Sequence, residues 1–324
     1  MLVISSLPLK ITFCGSDTFI DRIFIYFSNN INMNLFKTNW FLLILLSAIW
    51  GGAFTLNKLA LNLYTPEVIV AGRLITGSIF LILLVYAIYK RFSISFSQLN
   101  YYLFMSLVGI VIPFIAIING QRNIDSAMAG ILMATMPIST IILSHFFLDD
   151  EKMNQRKFIG FIISFFGVFI LIYRDDLFNN SISLTLESQL LVILGSTLYS
   201  FAAIYGKKYK MTNPVNASTG TILFATFFMT IYLLFIDETK PDITILLLDI
   251  NILLLGVLCT AIATVIYFQI LQTSGASFLS IMNFLIPLWA ILFGILVLND
   301  DFSWNYIFGL FVILFGIKLA NSSS

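Results

Sequence analysis

Apolar residues fall in long unbroken blocks, and each block ends on a short polar cluster. Neither a period of two nor a one-sided helical stripe organises them, so burial on all sides is implied. A helix needs about 20 apolar residues to cross a bilayer. About ten blocks meet that length, near 40–59, 66–89, 100–121, 126–148, 156–173, 186–206, 215–236, 250–271, 276–298 and 303–320. Pro66 and Pro214 open the second and seventh, where the missing N–H of proline costs nothing. The polar segments between blocks are too short to hold a soluble domain.

The pattern repeats. Residues 126–151 read SAMAGILMATMPISTIILSHFFLDDE and residues 276–301 read ASFLSIMNFLIPLWAILFGILVLNDD. Pro137 aligns with Pro287 and Asp150 with Asp300, both 150 residues apart. Trp50 aligns with Tyr199 and Lys58 with Lys207 at an offset of 149. The fourth and ninth blocks therefore correspond, and each copy holds five. An odd copy crosses the membrane in opposite senses its two times. The expected fold is an all-α membrane protein of ten transmembrane helices in two inverted five-helix repeats. The expected boundaries are 39–175 and 185–320, after an N-terminal extension at 1–38. That extension is broken by Pro8, Lys10, Asp17, Asp21 and Arg22. It reads as disordered or interfacial, or as a start site placed too early, with Met33 the true initiator.

Charge placement gives the orientation. With a cytoplasmic N-terminus, Lys37, Lys90, Arg91, Lys152, Arg156, Lys157, Lys207, Lys208, Lys210 and Lys318 lie inside, and Lys58, Arg122, Arg174 and Lys240 outside. The positive-inside rule favours that sense and puts both termini in the cytoplasm, with the chain in the cytoplasmic (inner) membrane. Composition agrees: 59% hydrophobic and 10% charged residues, with a mean hydropathy of +0.99, against roughly 25% charge in soluble domains. A net charge of +1 excludes the basic face of a nucleic-acid binder. Cys14 and Cys259 are isolated, so no metal site, disulfide framework or cofactor is expected. A P-loop pattern is missing, which excludes ATP hydrolysis by this chain. The expected partners are a small-molecule substrate and the lipid bilayer, with a homodimer left open.

Several stretches resemble the EamA half-repeat of the drug/metabolite transporter superfamily: AIWGGAFTLNKLAL, YTPEVIVAGRLITGSIFLI, SAMAGILMATMP and FLDDEKMNQRKFIGFIISFFGVFIL. The second copy, GASFLSIMNFLIPLWAILFGILVLNDDFSWNYIFGLFVILFGI, resembles it too, and the likeness spans residues 40–318. The resemblance implies a central cavity lined by helices one, three, four, six, eight and nine. It also implies transport of small, amino-acid-like or amphipathic metabolites by alternating access. Tyr199-Ser200 departs from the tryptophan-glycine pair that Trp50-Gly51 supplies in the first copy.

Ionisable groups in hydrocarbon are costly and point to function. Arg73 is the leading candidate: its planar guanidinium can hold a carboxylate, can bond helix-end carbonyls as a structural group, or can snorkel outward to head groups. Lys58 is expected to reach outward to head groups. Polar and aromatic candidates for the cavity are Trp50, Asn119, Tyr199, Ser200, Tyr267, Gln269, Asn283 and Trp289, with packing the alternative for each aromatic. Gly51 and Gly52 permit close helix contact or a kink, and with Pro137 and Pro287 are candidate helix breaks or hinges; Pro287 leaves the carbonyl of Asn283 without its helical donor. No Asp or Glu falls in the middle of any block, which disfavours a proton-coupled cation exporter. His145 and Asp150 have the H-x-x-x-x-D spacing of a lipid acyltransferase. Asp150 recurs as Asp300 whereas His145 maps to Ile295, so the acid belongs to the repeat and catalysis is not expected. A non-transporting membrane scaffold is the remaining alternative.

Overall fold

A computed structural model describes residues 35–89, 98–148, 153–172, 182–209, 214–235, 243–279, 282–300 and 304–321. Among them there is no strand. The helices are α1 Leu35–Ala60, α2 Pro66–Tyr89, α3 Leu99–Gly120, α4 Ser126–Phe147, α5 Gln155–Ile172, α6 Ile182–Lys208, α7 Pro214–Phe235, α8 at 250–279, α9 Met282–Leu298 and α10 Trp304–Asn321. Seven helices are long and apolar enough to cross a membrane, namely α1 to α4 and α6 to α8; Met282–Leu298 and Trp304–Leu319 are apolar but shorter. The chain is thus a multi-pass integral membrane protein.

Helix pairings come in matched couples. α1 packs on α9 as α6 packs on α4, α1 on α8 as α6 on α3, and α2 on α8 as α7 on α3. The exchange of one five-helix set for the other preserves the pattern. α4 and α9 run antiparallel: Gly130 abuts Ala290, while Ser126 meets Asp300. α5 and α10 do the same, with Gly167 over the Gly309 carbonyl and Gly316 over the Gly160 carbonyl. Those glycines are themselves repeat partners, since 309 − 160 = 149 and 316 − 167 = 149. Apolar association is weak in lipid, so close backbone approach at small residues and interhelical hydrogen bonds hold such crossings. Ser164 adds one, donating to the Ile313 carbonyl at 3.1 Å.

Three features differ from the pattern read in sequence. α1 begins at Leu35, inside the expected extension, whose residues 1–34 lie outside those described. α8 continues to Leu279, through the expected loop near 272–275. Asn39 of α1 explains this: its amide donates to Ser274 Oγ at 2.7 Å and its carbonyl oxygen accepts from Thr273 Oγ1 at 3.3 Å. The Ser274 hydroxyl is thus engaged by a neighbouring helix, while the single Thr273 proton is shared with the Gln269 carbonyl one turn back, at 2.9 Å, a bond that an intact helix supplies. A short helix, Ile243–Leu248, precedes α8. The Asp249 side chain then caps α8, accepting from the amides of Asn251 and Ile252 at 2.8 and 3.2 Å.

Three helices contain π-helical turns: Leu107–Val111 in α3 and Leu254–Ile262 in α8, at equivalent places, and Gly294–Leu298 at the end of α9. α4 breaks at Met133–Ala134, just before Pro137. The break keeps its backbone satisfied: the amides of Ala134 and Met136 donate to the carbonyls of Ile131 and Met133 at 2.9 and 3.0 Å. α1 by contrast runs unbroken through Gly51 and Gly52, and α9 is helical on both sides of Pro287. At the glycine pair the helix stays continuous, and Gly51 makes the close helix contact.

Candidate functional site

Arg73 lies seven residues into α2, about 10 Å along its axis. It is 4% exposed, so it does not reach the head groups. Its Nε donates to Thr260 Oγ1 at 3.1 Å, and its guanidinium carbon sits 3.8 Å from the centre of the Phe114 ring. The π-helical turn in α8 sets up the first contact. Thr260 donates its own hydroxyl to the Leu255 carbonyl, five residues back, at 2.8 Å, which leaves its lone pairs to accept from Arg73. Phe114 supplies the second through a cation–π contact. Neither is a helix-end carbonyl. Among the described residues Arg73 makes no ion pair with a carboxylate.

Aromatic side chains extend from this contact. Tyr199 meets Phe114 edge-on at 6.5 Å. Trp50 donates its indole N–H to the Cys259 carbonyl at 3.2 Å and packs on Tyr267 at 5.7 Å. Of the expected cavity residues, Arg73 and Tyr199 thus meet through Phe114, and Trp50 and Tyr267 pair with each other beside Cys259, the neighbour of Thr260. Gln269 and Asn283 are half-buried, and among the described residues their side chains make no hydrogen bond. The rest are otherwise engaged. Asn119 donates back to the Ile115 carbonyl at 2.9 Å. Ser200 is buried in the α4–α6 seam, donating to the Met136 or Ser196 carbonyl at 2.9 or 3.2 Å. Trp289 stacks on Phe293 along α9. The sequence did not single out Phe114, Thr260 or Cys259. A shallow apolar groove lined by Leu186, Glu187, Leu190, Leu191 and Leu194 shares no residue with this cluster.

One end of the bundle is tied by polar contacts. The Lys58 ammonium donates to the carbonyls of Gln121, Ile124 and Arg122 at 2.7, 3.0 and 3.4 Å. Its three N–H groups match three carbonyls at the end of α3, so Lys58 caps a neighbouring helix rather than reaching for head groups. Gln121 is fully buried, accepting from the Asn57 amide at 3.0 Å and donating to the Phe54 carbonyl at 2.9 Å. Asp300 accepts from Ser126 Oγ at 3.1 Å and from the Ala127 amide at 3.4 Å, and Tyr306 donates to Asp125 at 3.0 Å. These last bonds join residues of the two repeats.

Asp300 also gives a pH prediction. Partial burial raises its carboxyl above the ordinary 3.8, with Asp125 adding repulsion, and the bonds from Ala127 and Ser126 oppose the rise. The folded state then binds this proton more tightly than the unfolded chain does. Its stabilising contribution is full below about pH 3.8 and is lost as pH rises through the raised native value. Melting temperatures of Asp300→Asn in detergent are expected to lose the acid-side increment that the parent shows. Parallel pH profiles would show that Asp300 is not the group responsible.

Of the alternative catalytic pair, only His145 lies among the described residues. His145 Nδ1 accepts from the Met153 amide at 3.0 Å, so that nitrogen carries no proton to donate to a carboxylate. Asp150 lies outside the described residues.

Known proteins place the chain. A transporter of Bacillus subtilis (strain 168), YoaV, itself uncharacterised, is 27% identical over 270 residues, covering 82% of this chain and 91% of its own. An uncharacterised transporter of Archaeoglobus fulgidus is 24% identical over 272 residues, covering 83% and 94%. A solved crystal structure shares the fold with a TM-score of 0.61 at 15% identity, covering 88% of this chain and 96% of the other. The family model for EamA-like transporters matches twice, at 38–173 and at 187–322. With both halves matched and the helix pairings exchanged between them, the chain belongs to the EamA-like transporter family.

Proposed function

We propose that this protein is a secondary transporter or facilitator. It moves a small polar or amphipathic metabolite across the cytoplasmic membrane by alternating access. In this reading α1 to α10 all cross the bilayer, the two five-helix sets are inverted copies, and both termini are cytoplasmic. The observation that carries it is the pairing of helices in couples that survive exchange of the two halves. Inverted copies can build two nearly equivalent states, one open to each side, around a site near the midplane. Support for the site comes from the aromatic cluster around Arg73, which has apolar walls and few polar groups. The contacts of Lys58 then belong to the external end, closed in this state, and Tyr101 and Tyr205, 6.1 Å apart, stand toward the opposite end.

The test is flux. Purified protein in liposomes is expected to move at least one member of a broad panel of organic acids, amino acids and amphipathic amines. Membrane potential and a pH gradient would be imposed separately. Failure to move any solute under every gradient would remove the transport reading and favour a scaffold.

A further inference from the structure

We propose that Arg73 and Phe114 form the seat of a ligand carboxylate, and that the ligand is a net-negative organic acid with a flat apolar body. The inference rests on the transport reading and names its substrate class. Its basis is a buried cation left without a counter-charge. A guanidinium has five N–H donors, and among the described residues Arg73 uses only Nε, toward Thr260. The two terminal nitrogens hold the remaining four donors in the planar fork that fits a carboxylate edge. A buried charge lacking an anionic partner is costly, and a carboxylate arriving with the ligand would complete it.

The ligand's net charge follows from what the site lacks. The acids among the described residues are Glu67, Asp125, Glu187, Asp249 and Asp300, and none of them pairs with Arg73. A zwitterion would bring an ammonium with no carboxylate to receive it. A phosphate dianion would call for more than the single cation present. The apolar body is set by Tyr199, which meets Phe114 beside the guanidinium, with the Trp50–Tyr267 pair joined to the site through the Cys259 carbonyl, next to Thr260.

The probe is 3-phenylpropionate, with its amide, phenylalanine, phenethylamine and inorganic phosphate as comparisons. Binding is read on the full chain in detergent by tryptophan fluorescence. It is read again by protection of Cys259 from maleimide in a Cys14→Ser background, because the Cys259 carbonyl accepts from Trp50 and the next residue, Thr260, accepts from Arg73. The acid is expected to bind at least ten-fold more tightly than its amide or phenylalanine. Arg73→Lys is expected to weaken acid binding about ten-fold and Arg73→Gln a hundred-fold, with amide binding unmoved in both. Equal binding of acid and amide by the parent protein overturns the proposal, even where the Arg73 variants fail to fold. So does Arg73→Gln with its acid preference intact, or competition by phosphate as strong as by the acid. Liposomes that carry other solutes while the acid is ignored would remove this assignment and leave transport standing. Tight acid binding with no flux of any solute would do the reverse.

Discussion

Leucine in place of Gly130 is expected to cost the fold roughly 3 kcal/mol or more and to abolish flux. A Cβ at this position would lie 2.1 Å from the Cβ of Ala290. That neighbour is fixed to the α9 backbone and cannot rotate away, so the helices must part. Gly51 of α1 meets the same turn of α9, its Cβ position 2.4 Å from the Cβ of Trp289 and 3.0 Å from the Ile286 carbonyl. Two glycines, one from α1 and one from α4, thus close on one turn of α9, and the crossing depends on backbone proximity. Gly52 is the contrast. Its Cβ position is 3.5 Å from the Phe293 ring, an ordinary contact, and alanine favours a helix over glycine by about 1 kcal/mol. Thermal unfolding in detergent should find Gly52→Ala at or above the parent and Gly130→Leu far below it. Gly130→Ala should recover most of its smaller loss when paired with Ala290→Gly. Equal losses at Gly52 and Gly130 would show that the α9 contact is not the cause.

The reach of sequence reading can be judged residue by residue. The family and its doubled pattern were legible because the polar breaks, Pro137/Pro287 and the glycines recur at nearly constant offsets. The helix ends were legible to within a few residues for the same reason, except where Asn39 holds Thr273 and Ser274 in an unbroken α8. Arg73 and the aromatics Trp50, Tyr199 and Tyr267 stood out because charge or a large ring in an apolar block is costly or bulky. Phe114 did not, being one of 33 phenylalanines; only its position over the guanidinium distinguishes it. Thr260 was hidden for another reason. Its role depends on a π-helical turn, and no spacing of residue types marks one. Lys58 was misread because a lysine near a helix end looks the same whether it meets lipid or a neighbouring helix. What separates the two is the approach of three carbonyls from 63 to 66 positions away.

Methionine in place of Lys58 is expected to cost roughly 2–3 kcal/mol and to loosen the end of the bundle that this lysine ties. The stem would still pack, so the loss isolates the ammonium. Three carbonyls, of Gln121, Arg122 and Ile124, would exchange a charged donor for water. Asp125 and Asp300, which act electrostatically on Lys58, would lose the cation between the two repeats. Arginine should restore only part of the function. It keeps the charge, but a planar fork does not direct three donors at converging carbonyls as an ammonium does. The measurement is alkylation of Cys259, buried between α1 and α8 with its thiol on the Ile49 carbonyl, in a Cys14→Ser background. A membrane-impermeant thiol reagent added from the Lys58 side should label Lys58→Met at least ten-fold faster than the parent. Added from the other side it should label the two alike. A fall in melting temperature with labelling unchanged from either side would make Lys58 a helix cap alone. Faster labelling from the Lys58 side only would make those three carbonyl bonds the fastening that keeps this end shut while the aromatic cluster around Arg73 faces the other way.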